Sequence, residues 1–253
     1  MKGKALFSMT LVVALAAPAL ALVEPAAAPS PEPPAVRPTF VLDPGHGGDD
    51  LGAVVGHRRE KDIALAISLK VKKHLESLGE TGVKLTREDD RFIPLDRRVE
   101  DVADWSGNLF VSLHLNQVRR KAPHGITVYA FGKESFRLPR KKRHSKVPPL
   151  AAPPKDLARV SADFANSIVS SLRAQGLRVD PPARAGFYVL KNPEAPSVLI
   201  ELGYLSNPAE AARLNDPAYQ DRLAEALAVS LESYVGRVGT AALARAGSPR
   251  SGR

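Results

Sequence analysis

The segment Thr39-Phe-Val-Leu-Asp-Pro-Gly-His-Gly-Gly48 places a short apolar run directly before a turn rich in glycine. Apolar residues then recur at every fourth position of the next segment, at Ile63, Ile67, Val71 and Leu75. The run before the turn is typical of a buried strand, and the four-residue spacing is typical of an amphipathic helix. This part of the chain therefore predicts a strand, a sharp turn and a helix, which is the repeating unit of an α/β domain.

The same alternation continues toward the C-terminus. Short buried strands are predicted over 83–86, 109–113, 126–131, 187–190 and 198–202. Helices are predicted over 95–105, 160–172 and 223–235. Strands that alternate with helices of this length favour a mostly parallel twisted sheet with helices on both faces, folded as a single α/β domain.

The N-terminal residues differ in composition from this α/β part. Lys2 and Lys4 precede an almost uncharged run that ends in Ala19-Leu20-Ala21, a small-x-small cleavage pattern. Residues 1–21 are therefore predicted to be a secretory signal peptide rather than a stable membrane anchor. Residues 22–37 are rich in alanine and proline and predict an extended linker.

The net charge of +9 is concentrated outside the predicted core. Six basic residues lie in 137–146, four in 237–253 and two in the signal peptide, and removing these 12 leaves a charge of about −3. The folded part is thus not basic, which argues against a nucleic-acid partner. We expect a catalytic domain over 38–236, with a basic, proline-rich loop at 137–154 and a disordered basic tail at 237–253.

Three polar side chains stand where predicted strands end. His46 lies in the glycine-rich turn after the first strand, His114 closes the apolar run 109–114, and Glu201 closes the run 198–201. Because the carboxyl ends of parallel strands meet at one edge of a sheet, where ligands bind, we expect these side chains to converge. The chain has no cysteine, so a metal site would use nitrogen and oxygen ligands.

Two imidazoles and one carboxylate, with an open position for water, form a recurrent catalytic zinc set. Glu60 is our candidate for the carboxylate ligand. Its place just before a helix that starts near Asp62 also fits a residue that only complements the helix dipole, and spacing alone favours that structural role. The same ligand set suits non-haem iron enzymes, and the predicted export favours redox-inert zinc.

Seven ordered blocks lie between Phe40 and Tyr234: Leu42-Asp-Pro-Gly-His-Gly-Gly48, Glu60-Lys-Asp62, Leu85-Thr-Arg87 with Asp90, Leu95 to Arg98, Ser112-Leu-His-Leu-Asn116, Gly125 to Tyr129, and Val198-Leu-Ile-Glu-Leu-Gly-Tyr-Leu-Ser-Asn207. Together they resemble the zinc-dependent N-acetylmuramoyl-L-alanine amidases of the type-3 amidase family. The resemblance implies that one Zn²⁺ ion is bound by His46, Glu60 and His114. It also implies that Glu201 is the catalytic glutamate.

Three further residues fall in the matching blocks. Arg87 and Arg98 match arginines of the family, and the alternative for them is an ion pair that holds a helix onto the sheet. Asn116 could orient the substrate or a water near the metal, and a turn hydrogen bond is equally consistent with its position. Three positions carry residues other than the family's usual Ala, Asp and Asn, and none is a metal ligand: Leu115, Asn108 and Ala103.

The resemblance implies hydrolysis of the amide bond between N-acetylmuramic acid and L-alanine in peptidoglycan, which releases stem peptides from glycan strands. Cell-wall remodelling, daughter-cell separation or autolysis would be its role, in the periplasm or cell envelope. We expect a monomer whose other partner is an activator or an anionic envelope polymer. Two alternatives remain open, namely a catalytically silent peptidoglycan-binding module and a zinc peptidase that acts on another wall bond.

Overall fold

The computed structural model describes residues 37–79, 81–118, 123–133, 148–239 and 243. The strands are β1 (Thr39–Pro44), β2 (Val54–Val55), β3 (Arg58–Arg59), β4 (Gly82–Leu85), β5 (Leu109–Asn116), β6 (Thr127–Phe131), β7 (Ala183–Ala185) and β8 (Ser197–Tyr204). The α-helices are α1 (Glu60–Leu78), α2 (Leu95–Asp104), α3 (Lys155–Ala174), α4 (Pro208–Leu214) and α5 (Pro217–Val238). A 3-10 helix spans Val189–Lys191.

Six of the strands form one mixed sheet in the order β4-β1-β5-β8-β6-β7, and β2 and β3 form a separate antiparallel hairpin. The first four strands in this order run parallel, whereas β6 is antiparallel to β8 and parallel to β7. The register places Glu201 opposite His114 on one side and opposite Thr127 on the other. The predicted α/β fold with a mostly parallel sheet is confirmed.

The two faces of the sheet are covered by helices of unequal number. On one face, α1, α3 and α5 pack over alternate residues such as Phe40, Leu42 and Ile200. On the other face, α2 and the 3-10 helix pack over the intervening residues, including Val41 and Phe110. Each fully buried side chain of this kind stabilises the fold by about 1.5–3 kcal/mol, so both layers contribute to a single core. The predicted helices on both faces are confirmed.

The face covered by α2 changes from apolar to polar along the strands. On β1, Val41 is followed two residues later by Asp43, and on β5, Phe110 is followed by Ser112 and then His114. Because alternate residues of a strand share one face, these side chains form rows that lead from the core to the carboxyl edge of the sheet. The polar end of this face is where the predicted site residues meet.

One local prediction differs from the structure, and two elements of the structure were not predicted. The predicted strand over 187–190 is wrong, because this run forms the 3-10 helix and the edge strand is the preceding β7. Its apolar residues pack beneath the sheet, with the ring of Phe187 5.4 Å from that of Tyr129. A run of four apolar residues fits a buried helical turn as well as a strand, so periodicity cannot separate them. The β2–β3 hairpin and α4 were not predicted.

The domain boundaries stay predictions. The signal peptide at 1–21 lies outside the described residues, as do the linker at 22–37 except its last residue and the first part of the loop at 137–154. Helix α5 continues to Val238, two residues past the boundary predicted for the tail. Within the described ranges, no helix has the length and apolar composition needed to cross a membrane.

Candidate metal centre

The structure brings His46, Glu60 and His114 together at the carboxyl edge of the sheet. His46 lies in the turn after β1, Glu60 is the first residue of α1, and His114 lies near the end of β5. One ligand atom from each residue lies within 4.8 Å of the other two. Glu60 Oε2 lies 3.1 Å from His46 Nε2, and Glu60 Oε1 lies 2.8 Å from His114 Nδ1. This group could hold a metal ion.

Two glycines permit this close approach. A Cβ on Gly45 would overlap the imidazole of His114, and a Cβ on Gly52 would lie 2.6 Å from both Glu60 Oε2 and the His46 ring. No side chain larger than hydrogen fits at either position unless a ligand moves. The glycine-rich turn is therefore required by the packing of the ligands themselves.

The carboxylate of Glu60 is held in place by two backbone donors, one from the loop before β2 and one from β5. Ala53 N donates to Oε2 at 2.8 Å, and Leu115 N donates to Oε1 at 3.0 Å. Arg59, the N-cap residue of α1, makes no side-chain capping hydrogen bond, and the helix dipole favours a negative charge at Glu60. Glu60 thus faces the two imidazoles, which the helix-dipole alternative alone does not require.

The charges of this cluster are mutually stabilising. Burial lowers the pKa of His46, but hydrogen bonds and attraction from Asp50 and Glu60 outweigh burial and raise that pKa to about 9. Burial raises the pKa of Glu60, and the two imidazoles outweigh burial and lower it. The carboxylates of Asp50 and Glu60 therefore favour a positive charge beside the imidazoles, and a bound metal cation would supply such a charge.

Glu201 lies one strand away from His114, on the same face of the sheet. Its Oε2 is buried and has no hydrogen-bond partner among the described residues. Burial, together with the negative charge of Glu60, raises the pKa of Glu201 well above its ordinary value, although His46 opposes the shift. A buried carboxylate with a free oxygen beside a metal-binding group is a strong candidate for proton transfer.

Arg87 and Arg98 lie beneath the turn that carries His46 and are not part of the group that could hold a metal ion. Arg87 is fully buried and donates to the carbonyls of Pro44 and Gly45 at 3.0 and 2.7 Å. Arg98 donates to the carbonyl of His46 at 2.7 Å and to Asp43 Oδ1 at 2.6 Å. The two guanidinium groups thus fix the backbone that carries His46. The contact between Arg98 and Asp43 is the helix-to-sheet ion pair named as the alternative.

Asn116 is the last residue of β5, and its carbonyl accepts from Leu205 N at 2.9 Å. This backbone contact ties the end of β5 to the loop after β8. The roles considered for the Asn116 side chain, which are orienting the substrate or a water and forming a turn hydrogen bond, stay predictions.

Two residues that touch the site were missed by sequence reasoning. Asp50 Oδ2 lies 2.8 Å from His46 Nδ1, and Lys61 Nζ donates to the carbonyl of Gly48 at 2.9 Å. Lys61 also pairs with Asp90, which accepts from Gly48 N. The signal available for Asp50 was its place four residues after His46. The buried Lys61, adjacent to Glu60, was visible only as part of the Glu-Lys-Asp block.

Comparisons with known proteins identify the family of this chain. The profile of the family described as N-acetylmuramoyl-L-alanine amidase matches residues 40–233. N-acetylmuramoyl-L-alanine amidase AmiA of Escherichia coli is 33% identical, over 77% of this chain and 75% of that protein. AmiC of Escherichia coli is 30% identical, over 78% of this chain, and the match spans about half of that relative, 53%.

A solved structure supports the same assignment at the level of the fold. The crystal structure of the N-acetylmuramoyl-L-alanine amidase from Clostridium difficile 630 aligns with a TM-score of 0.67 and 28% identity, covering 80% of this chain and 99% of that one. The matched region contains all three residues of the metal-binding group as well as Glu201. The predicted family and enzyme class are thus confirmed: the chain belongs to the N-acetylmuramoyl-L-alanine amidase family.

Proposed function

We propose that the chain is a zinc-dependent amidase that hydrolyses the bond between N-acetylmuramic acid and L-alanine in peptidoglycan. Membership of the family supports the reaction and substrate, and the group of His46, Glu60 and His114 supports a metal-dependent mechanism. The observation that carries the proposal is the buried Oε2 of Glu201, which has no hydrogen-bond partner among the described residues and lies on the strand next to His114. Burying such an oxygen is costly unless water, substrate or a cation lies beside it.

The donor atoms fit zinc. Two imidazole nitrogens and one carboxylate oxygen are the ligands of many catalytic zinc sites, which leave one position for water. Iron(II) accepts the same ligands, and the proposed export favours a metal without redox chemistry. When bound, zinc would polarise the amide carbonyl and lower the pKa of the attacking water.

Glu201 would act first as a general base and then as a general acid. Its carboxylate accepts a proton from water as the water oxygen attacks the lactyl carbonyl carbon. The same proton then passes from Glu201 to the alanine nitrogen as the carbon–nitrogen bond breaks. The products are a carboxylic acid on the glycan and a free amine on the stem peptide. A raised pKa suits Glu201 to both halves of this transfer.

The test compares Glu201→Gln with wild type on purified sacculi, with released products analysed by mass spectrometry. We expect the rate of peptide release to fall by about 10²–10⁴-fold, because the amide cannot transfer the proton. Glu225→Gln, at an exposed position of α5, is the matched control and should retain full activity. Unchanged release by Glu201→Gln would contradict the role of this residue.

The metal ligands are tested separately by elemental analysis. His114→Ala should bind far less zinc than wild type, whereas Glu201→Gln should retain one ion per chain. A His114→Ala protein that still contained stoichiometric zinc would remove His114 from the ligand set. The product spectrum also separates the alternatives, since a silent binding module releases nothing and a peptidase cleaves within the stem peptide.

We further propose that the protein is exported to the periplasm or cell envelope by residues 1–21, and that 22–37 link them to a catalytic domain over 38–236. The charge of the basic segments at 137–146 and 237–253 supports an anionic envelope polymer as a second partner. An activating protein is an additional candidate, and we propose a monomer.

A further inference from the structure

The imidazole of His46 is contacted at both of its ring nitrogens. Nε2 faces the metal-binding group, 3.1 Å from Glu60 Oε2. Nδ1 lies on the opposite edge of the ring, 2.8 Å from Asp50 Oδ2. Asp50 is not a member of the group of ligand atoms that lie within 4.8 Å of one another. It therefore contacts a ligand without being placed to serve as one.

The Asp50 carboxylate is itself fixed by its loop. Its Oδ1 accepts from Gly52 N at 3.2 Å. The backbones of Gly47 and Asp50 exchange two hydrogen bonds of 3.0 and 3.1 Å, which close the loop directly after His46. His46 has a φ of 60°, a left-handed conformation that is uncommon outside glycine, and this closed loop holds it there. The contact between Asp50 and His46 is thus built into the turn.

We propose that Asp50 is a positioning residue that holds His46 in the tautomer with its proton on Nδ1 and its lone pair on Nε2, directed at the metal. An ionised carboxylate can only accept a hydrogen bond, so its partner Nδ1 must carry the proton. A neutral imidazole has one proton, and Nε2 is then left free to donate its lone pair to a cation. This inference rests on the proposed metal-dependent function.

The competing interpretation is that the contact between Asp50 and His46 is an exposed ion pair that does not affect metal binding. The Asp50 side chain is 48% exposed, and exposed ion pairs commonly contribute little to stability. The two interpretations differ in what they predict for the metal, because loss of a carboxylate that orients a ligating histidine weakens metal affinity by about 10–100-fold. An incidental surface contact would leave the affinity unchanged.

The experiment measures zinc affinity of the full chain by competition with a chromophoric chelator. Wild type is compared with Asp50→Ala, Asp50→Asn and Asp49→Ala, the last of these at the exposed neighbouring aspartate. We expect about a 10–100-fold weaker affinity for Asp50→Ala and no change for Asp49→Ala. Asp50→Asn keeps an acceptor oxygen without the charge, so its affinity should lie between those of wild type and Asp50→Ala.

A second readout separates positioning from a general loosening of the loop. NMR of the zinc-loaded protein with ¹⁵N-labelled histidine reports which ring nitrogen of His46 carries the proton. Wild type should show the proton on Nδ1, and Asp50→Ala should lose the corresponding hydrogen-bonded resonance. Equal zinc affinity and an unchanged His46 resonance in Asp50→Ala would overturn the inference. A wild-type chain that bound no zinc would instead overturn the proposed function.

Discussion

The carboxylates of Asp43 and Glu201 lie on the same face of the sheet, with β5 between their strands, and they differ in their hydrogen-bond partners among the described residues. Asp43 accepts from Thr86, Ser112 and Arg98, at 2.6–2.7 Å. Burial raises the pKa of Asp43, but Arg98 and the two hydroxyls outweigh burial and lower it. Glu201 Oε2 is buried without a hydrogen-bond partner in the described part of the chain, and the pKa of Glu201 is raised. The same face thus carries one carboxylate with three hydrogen-bond donors and one with an oxygen available for the proposed proton transfer.

The largest loss of stability is expected from a substitution of Asp43, the paired carboxylate. Asp43→Ala would leave Arg98 buried without its carboxylate partner, and we expect a loss of about 3–5 kcal/mol in the free energy of unfolding. Urea denaturation followed by circular dichroism measures this loss. Glu225→Ala, at an exposed position, should change stability by less than about 0.5 kcal/mol. A loss below about 0.5 kcal/mol for Asp43→Ala would show that the hydrogen bonds of Asp43 do not stabilise this edge of the sheet.

A second prediction concerns the ligand cluster between the two carboxylates. Gly45→Ala would place a methyl group against the His114 imidazole and force that ring to move. We expect a loss of about 1–3 kcal/mol in stability from overpacking, together with weaker zinc binding. Gly236→Ala is the control, because a Cβ there meets no atom within 4 Å. Unchanged zinc affinity in Gly45→Ala would show that His114 is not a ligand.

A substitution at Glu201 should change the free energy of unfolding in the opposite direction. Because the folded pKa of Glu201 is raised, its ionisation destabilises the metal-free protein increasingly as pH rises from the ordinary pKa of a glutamate toward the folded pKa, and this penalty is lost again as pH falls over the same range. Glu201→Gln should therefore stabilise the metal-free protein by about 1 kcal/mol at neutral pH, and by less in acid. Thermal melts in chelator at several pH values measure this difference. Destabilisation at neutral pH would show that Glu201 has a structural partner.

The smallest change in stability is expected at Asn108, whose side chain accepts a hydrogen bond without carrying a charge. Asn108 Oδ1 accepts from Thr39 N at 2.8 Å at the start of β1, so the amide satisfies the same donor as the aspartate usual in the family. Asn108→Ala should cost about 0.5–1.5 kcal/mol, and Asn108→Asp should change stability by less than about 0.5 kcal/mol. Urea denaturation of both variants measures the pair. Equal losses of stability in Asn108→Ala and Asn108→Asp would show that the hydrogen bond from Thr39 N to the side-chain oxygen does not stabilise the protein.

Sequence pattern alone predicts the α/β class and two of the three residues of the group that could hold a metal ion. Apolar periodicity located most strands and the long helices, since burial on one face requires regular spacing. His46 and His114 were visible because strand ends converge at one edge of a parallel sheet. Glu60 was identified only through the family resemblance, because a glutamate at a helix start has a common structural role.

The long-range support of these residues is visible only in the folded molecule. The contacts of Arg87 and Arg98 with the His46 turn join residues 42 and 52 positions apart, and no local pattern specifies such pairs. The distinction between Asp43 and Glu201 has the same origin. Both are acidic residues in apolar strands, and whether a buried carboxylate is paired or free depends on which side chains other elements bring to it.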